Sequence, residues 1–369
     1  MSLKRLVITC GGTGGHFFPG LSIAREVKSQ GKSVLILLSG EHAVAQREIA
    51  KNFGIDAVAL PNMPSYRKAP FRFCCGLLGG FFSALRQLGK FKPQALLGMG
   101  SFATSPLIAA AWVRRIPVFL HDGNARIGKA NRIFSRKAKI MGTGFPAVNA
   151  HDCRCPVVCT GMPVRPELRQ FADLSKADAI AALNSGFGVN FTAELPVVLV
   201  TGGSQGAAIF NSVLPQVLCS RAEKFQLIHL TGKGKFAETA QAYENAGFPK
   251  LLLDSCSQME LCLGAADLVF SRSGGSTAAE LSLFGKASVL VPYPYAAEGH
   301  QTDNAGYFES HGAAKMVKNS DFDVVTVNGL LDDFFSHRDR WEQMGKAMRE
   351  LAIPDAAAKM VAEISDALD

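Results

Sequence analysis

"LVITCGGTGGH", residues 6–16, returns in altered form as "VVLVTGGSQGA", residues 197–207. Each stretch is an aliphatic run, then a Gly-Gly pair (Gly11-Gly12 and Gly202-Gly203), then the start of a helical pattern. A strand buried on both faces reads as a continuous apolar run. Glycines after it let the backbone approach a ligand closely, and the helix behind them offers free N–H groups and the positive end of its dipole to an anion. The repeat predicts two α/β domains, each opening with strand, glycine turn and helix.

The flanking sequence extends the pattern. Candidate strands lie at 5–10, 33–38, 56–60, 95–100, 117–122, 139–144 and 156–161, with helices between them such as 20–30 and 105–114. After the repeat come "FQLIHLTG" (225–232), "KLLLDS" (250–255), "ADLVFSRSGG" (266–275) and "ASVLVPYP" (287–294). Strands alternating with helices predict doubly wound parallel sheets. Two prolines in "TGMPVRPEL" (160–168) mark a hinge, so the domains are expected over 1–163 and 164–369. The last helical pattern, 338–367, breaks at Pro354, which leaves open whether the final helix packs back on the N-terminal domain. The fold class is therefore α/β, two Rossmann-like domains with a ligand cleft expected between the carboxyl ends of their sheets.

Composition narrows the function. The 369 residues are 48% hydrophobic and 19% charged, as in ordinary globular chains. The opening apolar run is only strand length, so no secretory signal is expected, and no run is long enough to span a bilayer. Nine scattered cysteines without a C-x-x-C pair argue against zinc or redox motifs and suit free thiols in a reducing compartment. Net charge is uneven. Residues 1–165 hold 23 Lys and Arg against 6 Asp and Glu, whereas the whole chain is only +8. A basic first half suits a polyanionic or phosphorylated ligand, or an anionic membrane surface. No nucleic-acid-binding motif accompanies it.

Several strand ends carry polar residues suited to chemistry. The first glycine loop is not a Walker loop, since no Gly-Lys-Ser/Thr follows. Phe17 stands where a dinucleotide fingerprint needs its third glycine, which disfavours a dehydrogenase. His16, where loop meets helix, reads either as a cap or as a reactive imidazole. Ser204 in "GGSQGA" (202–207) can donate to a phosphate. In "SRSGGSTAAE" (271–280), Glu280 either closes a capping box with Thr277 or accepts ribose hydroxyls. "HDGN" (121–124) places His121, Asp122 and Asn124 at a strand end, and "EGHQTDNA" (298–305) supplies Gln301, Asp303 and Asn304. Arg165 at the hinge is either solvated or turned to a diphosphate with its fork of donors. In residues 66–92, Leu77, Leu78, Phe81, Phe82, Leu85 and Leu88 share a helical face flanked by Arg67, Lys68, Arg72, Arg86, Lys90 and Lys92. That pattern fits either a sheet-covering helix or one dipping into anionic lipid.

Taken together, "GGTGGHFFPGL", "LLGMGSFATSP", "PVFLHDGN", "TGMPVRPEL", "VTGGSQGAAIFN", "SRSGGSTAAEL" and "HQTDNA" occur in the order and spacing of the bacterial peptidoglycan N-acetylglucosaminyltransferases. The resemblance covers essentially the whole chain. It implies a GT-B fold and an inverting transfer that uses neither metal nor cofactor. The donor would be UDP-N-acetylglucosamine, held mainly by the C-terminal domain. The acceptor would be undecaprenyl-linked lipid I, held by the N-terminal domain and glycosylated at its C4 hydroxyl to give lipid II. A related UDP-sugar transferase acting on diacylglycerol is the alternative.

Carried across position by position, the resemblance implies donor contacts at Thr13, Gly14, Gly15, Asn124, Arg165, Ser204, Cys256, Gly275, Ser276, Thr277, Ala278, Ala279, Glu280 and Gln301. His16 is the candidate base, with Asp122 as runner-up, because a histidine titrates near the working pH. The first glycine loop then serves chiefly the acceptor diphosphate. Phe71, Phe73, Leu77, Leu78, Phe81 and Phe82 would touch the cytoplasmic face of the cell membrane, making the enzyme peripheral, and cell-wall synthesis proteins are candidate partners. The sequence departs from the family pattern where Asp122-Gly123 replaces Glu-Gln, where Ser101, Ser105 and Ala125 replace glycines, and where His300 replaces a glutamine.

Overall fold

The computed structural model describes residues 3–11, 14–61, 70–203 and 205–369. Thr13, Ser204, Arg67 and Lys68 lie outside the described residues, as do the side chains of Pro70 and Arg72. The chain divides into two compact units, one of Met1–Arg165 with Ile353–Asp369 and one of Pro166–Ala352.

The first unit is built on a seven-stranded parallel sheet. Its strands are β1 (Arg5–Gly11), β2 (Ser33–Ser39), β3 (Asp56–Ala59), β4 (Ala95–Gly98), β5 (Val118–Asp122), β6 (Met141–Thr143) and β7 (Val157–Cys159), in the order β3-β2-β1-β4-β5-β6-β7. All seven fall on the runs read as strands. The order reverses beside β1, where Thr9 pairs with Gly98 of β4. Two-sided burial explains the continuous apolar reading. Leu6, Ile8 and Cys10 face one layer, with Phe17, Leu21, Ile23 and Val27 of the Gly14–Ser29 helix and Met360, Val361 and Ile364 of the Ala356–Asp366 helix. Val7, Leu96, Val118 and Leu120 face the other, with Ala84, Leu88, Leu107 and Ile108. The helical pattern at the end of the chain does break: one helix covers Arg338–Glu350 and the next begins at Ala356.

The second unit repeats the plan with six strands: β8 (Val197–Thr201), β9 (Gln226–Leu230), β10 (Lys250–Leu253), β11 (Leu268–Ser271), β12 (Ser288–Leu290) and β13 (Lys315–Met316), ordered β10-β9-β8-β11-β12-β13. Here the order reverses between β8 and β11, with Thr201 opposite Ser271. The sequence did not mark β13, whose two residues are too few for a period. It is held from outside. Lys315 Nζ donates to Asp333 Oδ2 at 2.6 Å, and the indole N–H of the buried Trp341 donates to the same oxygen at 3.2 Å. The Lys315 ammonium keeps the Asp333 carboxyl below the usual carboxylate range.

Close helix–strand packing beside the first loop rests on Gly20, not on the position Phe17 occupies. Phe17 is buried in the core, while a Cβ at Gly20 would collide with Cys10 Sγ and lie 3.2 Å from Met99 Cγ. The helix behind the loop thus lies against β1 because residue 20 has no side chain. Gly20→Ala should cost about 1–3 kcal/mol by overpacking. Cys10→Ala in the same chain should return most of that loss, measured as a coupling in a urea-unfolding double-mutant cycle; additive effects would show that the sulfur is not the obstacle.

Candidate functional site

In the first unit, the carboxyl ends of β1, β4 and β5 bring three polar loops together. The Gly14–Ser29 helix starts directly after the glycine turn, so its unpaired first-turn N–H groups open onto this edge. His16, in that first turn, is half-buried. Its ring packs on Gly100, where a Cβ would sit 3.3 Å from His16 Nε2 and 3.5 Å from Asn131 Nδ2. Gly100 has φ +92° and so adopts a backbone shape that leaves room for the imidazole. Next to it the non-glycine Ser101 holds a glycine-like backbone at φ +73°. Its Oγ accepts the Ala103 N–H at 3.2 Å, offsetting part of the strain.

Asp122 ends β5 and is buried. Its Oδ1 accepts from Asn124 N at 3.3 Å and Asn124 Nδ2 at 3.2 Å; its Oδ2 accepts from Gly128 N at 2.9 Å and Asn131 Nδ2 at 3.0 Å. The carboxylate therefore organises the 122–131 loop and fixes the side chain of Asn124. His121, beside it, is 1% exposed. Its Nε2–H donates to the Gly161 carbonyl at 3.0 Å, so Nε2 carries the proton. Burial pushes its pKa down, against the opposing effects of the Gly161 hydrogen bond and the Asp122 charge.

In the second unit, the segment after β11 meets the segment after β12. The Gly275–Phe284 helix has Gly274 as its N-cap, with no side-chain cap. Thr277 therefore lies inside the first turn, and the capping box with Glu280 does not form: the helix begins before Thr277, so that hydroxyl has no end to cap. Gly275, Ala278 and Ala279 are buried, whereas Ser276, Thr277 and Glu280 are half-buried. Ser273 Oγ donates to the Gln301 carbonyl at 2.8 Å, and Asn304 Nδ2 donates to the Ser273 carbonyl at 2.9 Å. Gln301 Oε1 accepts the Tyr293 N–H at 2.9 Å. Its Nε2 would lie 3.8 Å from a Cβ at Gly274, facing the same helix end.

Cys256 lies half-buried between β10 and the Met259–Ala265 helix. A hydrogen bond from the Cys262 thiol lowers its pKa to about 7 and correspondingly raises that of Cys262. Arg165 closes the first unit and is half-buried. Behind the second loop, Gly206 at φ +63° lies so close to the Thr231 carbonyl that no side chain fits. The sequence reading passed over Arg272. Its guanidinium is half-buried just after β11, donates to the Val291 and Pro292 carbonyls at 3.0 and 3.2 Å, and has no carboxylate partner among the described residues. The signal available was its place between a strand end and Gly274-Gly275.

The 66–92 stretch contains the helix Pro70–Phe91, and its apolar residues do not all share one fate. Leu88 is buried against the sheet, and Phe73, Leu77, Phe81 and Leu85 are half-buried. Phe71, Leu78 and Phe82 point outward at 80%, 55% and 64% exposure. With exposed Cys74 and Cys75 they form one stripe, continued by exposed Arg86 and Lys90. A sheet-covering helix ordinarily turns polar residues outward, and this one does so only toward its C-terminal end. Among the described residues, no helix is long and apolar enough to cross a membrane.

Comparison with known proteins agrees with this arrangement. The family model of the glycosyltransferase family 28 N-terminal domain matches residues 6–143, and that of the C-terminal domain matches 197–360. The UDP-N-acetylglucosamine–N-acetylmuramyl-(pentapeptide) pyrophosphoryl-undecaprenol N-acetylglucosamine transferase of Aeromonas hydrophila is 32% identical over 98% of this chain and 96% of its own. The transferase of the same name from Methylococcus capsulatus is 34% identical over 96% of each chain. The crystal structure of Acinetobacter baumannii MurG superposes with a TM-score of 0.77 at 27% identity, covering 98% of this chain and 99% of the other. A Neisseria meningitidis UDP-GlcNAc 2-epimerase shares the fold at a TM-score of 0.71 but only 15% identity, over 98% of this chain and 99% of its own. Two Rossmann-like units with polar loops at the reversal points of their sheets, matched over nearly the full length, mean that this chain belongs to glycosyltransferase family 28.

Proposed function

We propose that this enzyme transfers N-acetylglucosamine from UDP-N-acetylglucosamine to the C4 hydroxyl of undecaprenyl-linked lipid I, giving lipid II for peptidoglycan synthesis. The full-length relatives named for this reaction support it over transfer to diacylglycerol. The observation that carries the mechanism is the His16 imidazole, laid on Gly100 at the reversal point of the first sheet. It is the one titratable side chain in the glycine turn itself. The acceptor hydroxyl attacks the anomeric carbon, His16 takes its proton, the bond to the UDP oxygen breaks, and the configuration inverts. Asp122, whose two oxygens already accept four hydrogen bonds, is assigned the positioning of Asn124 and Asn131.

The second unit takes the donor. Glu280, half-buried on the helix behind Gly274, accepts the ribose hydroxyls. The backbone near Cys256 meets the base. Ser204 and Arg165 serve the diphosphate, helped by the N-terminal end of the Gly275–Phe284 helix and by the unpaired charge of Arg272, which offset the charge developing on the leaving group. Gln301 Nε2 donates to the sugar. Thr13, Gly14 and Gly15 serve both the acceptor diphosphate and the donor.

The outward stripe of the Pro70–Phe91 helix is the surface that meets the lipid carrying the acceptor, on the cytoplasmic face of the membrane. Phe71, Leu78 and Phe82 enter the acyl boundary while Arg86 and Lys90 meet anionic headgroups. The basic surplus of the first half supplies longer-range attraction.

Two measurements test these assignments. His16→Ala should lower kcat by about 10²–10⁴-fold while leaving UDP affinity within about twofold; near-normal turnover with a lipid I analogue would remove His16 from the chemistry. Phe71→Ser/Phe82→Ser should weaken sedimentation with anionic vesicles by at least about tenfold, given roughly 1.5–3 kcal/mol for a fully buried Phe. Turnover of a water-soluble acceptor analogue should be unchanged. Undiminished vesicle binding would locate the membrane surface elsewhere.

A further inference from the structure

The segment between β12 and the His300–Ser310 helix carries two exposed tyrosines that folding alone does not explain. Tyr293 is 46% exposed and Tyr295 83%. Single exposed aromatics are ordinary on protein surfaces. These two are coupled to each other and to the candidate donor site. Their rings meet edge to face, with centroids 5.6 Å apart and planes at 71°. The Arg272 guanidinium lies 5.6 Å from the Tyr293 ring centroid, and it is itself fixed by donating to the Val291 and Pro292 carbonyls. The Tyr293 N–H donates to Gln301 Oε1. Tyr293 is thus held through its ring and its backbone, and Tyr295 leans on it with most of its own ring in solvent.

The same hydrogen bond decides what Gln301 offers. Its Oε1 accepts the Tyr293 N–H, which fixes the amide so that the Nε2 donor pair lies toward Gly274. A ligand atom there must be an acceptor. A hydrogen-bond donor beside an open aromatic face matches a pyranose, which has oxygen atoms around its rim and C–H bonds on its faces. A diphosphate would use the donor but not the ring face, and the base is assigned to the backbone near Cys256.

We infer that Tyr295, propped on Tyr293, forms a wall of the donor-sugar subsite, stacks on the C–H face of the N-acetylhexosamine, and is a specificity-determining residue. This inference rests on the assignment of Gln301 to the donor sugar. The prop matters because a ring already held in place loses little further freedom when the sugar arrives.

Steady-state kinetics with a soluble lipid I analogue, together with calorimetric binding of UDP, test it. Tyr295→Ala should raise KM for UDP-N-acetylglucosamine by about 3–10-fold, the range of an aromatic contact. UDP, which lacks the sugar, should bind as before. Tyr295→Phe should restore the KM, since the ring face and not the hydroxyl does the stacking. The melting temperature of Tyr295→Ala should move by no more than about 2 °C, because so exposed a ring contributes little to folding. A donor KM within twofold of the parent in Tyr295→Ala overturns the proposal. So does equal weakening of UDP, or a rise confined to the acceptor KM. Gln301→Ala is the companion variant. If it raises the donor KM and Tyr295→Ala does not, the donor assignment stands and the wall falls. If Tyr295→Ala raises the donor KM and Gln301→Ala does not, the assignment of Gln301 falls and the sugar-wall inference built on it falls with it.

Discussion

Parallel strand pairing on both sides of a central strand is the constraint on which each unit depends. In the first sheet β1 lies between β2 and β4; in the second β8 lies between β9 and β11. Parallel neighbours put all carboxyl ends on one edge, and the connections leave in opposite directions at the reversal point. Every side chain assigned to chemistry follows from that arrangement. His16, Gly100 and the Asp122 loop collect at one such edge, and Ser273, Gly274, Glu280 and Gln301 at the other.

Within that frame, small residues and satisfied polar groups set the positions of the loops and helices. The contact of Gly20 with Cys10 brings the helix carrying His16 onto β1. The four hydrogen bonds accepted by Asp122 fix the loop that bears Asn124 and Asn131. Ser101 tolerates a left-handed backbone and uses its hydroxyl to cap the turn that follows. A catalytic group held by such contacts needs little reorganisation during the reaction.

The two halves of the chain differ in charge and surface. The first half of the chain carries most of the basic surplus, and its Pro70–Phe91 helix turns Phe71, Leu78 and Phe82 outward. The second half carries the net negative balance and exposes fewer large apolar side chains, among them Tyr293 and Tyr295 near Gln301. A lipid-linked acceptor and a soluble nucleotide-sugar donor demand surfaces of these different kinds, the one apolar and cationic, the other polar with a few aromatic contacts.

Much of this was legible in the sequence because it depends on local pattern. Strands buried on both faces cannot avoid continuous apolar runs, so β1 to β12 were readable, as were the glycine turns behind β1, β8 and β11. Family motifs carried the reaction class. What the sequence could not decide depended on contacts between distant residues. Whether Thr277 capped a helix turned on where that helix began, and Gly274 began it. Which apolar residues of the Pro70–Phe91 helix faced outward turned on the sheet beneath, which buried Leu88 and left Phe82 in solvent. The two residues of β13 were invisible because they carry no period and are held by Asp333 and Trp341. The opposed orientation of Gln301 and the tyrosine pair beside it arose only when the chain folded back, since hydrogen bonds and ring contacts choose among rotamers that the sequence leaves equal.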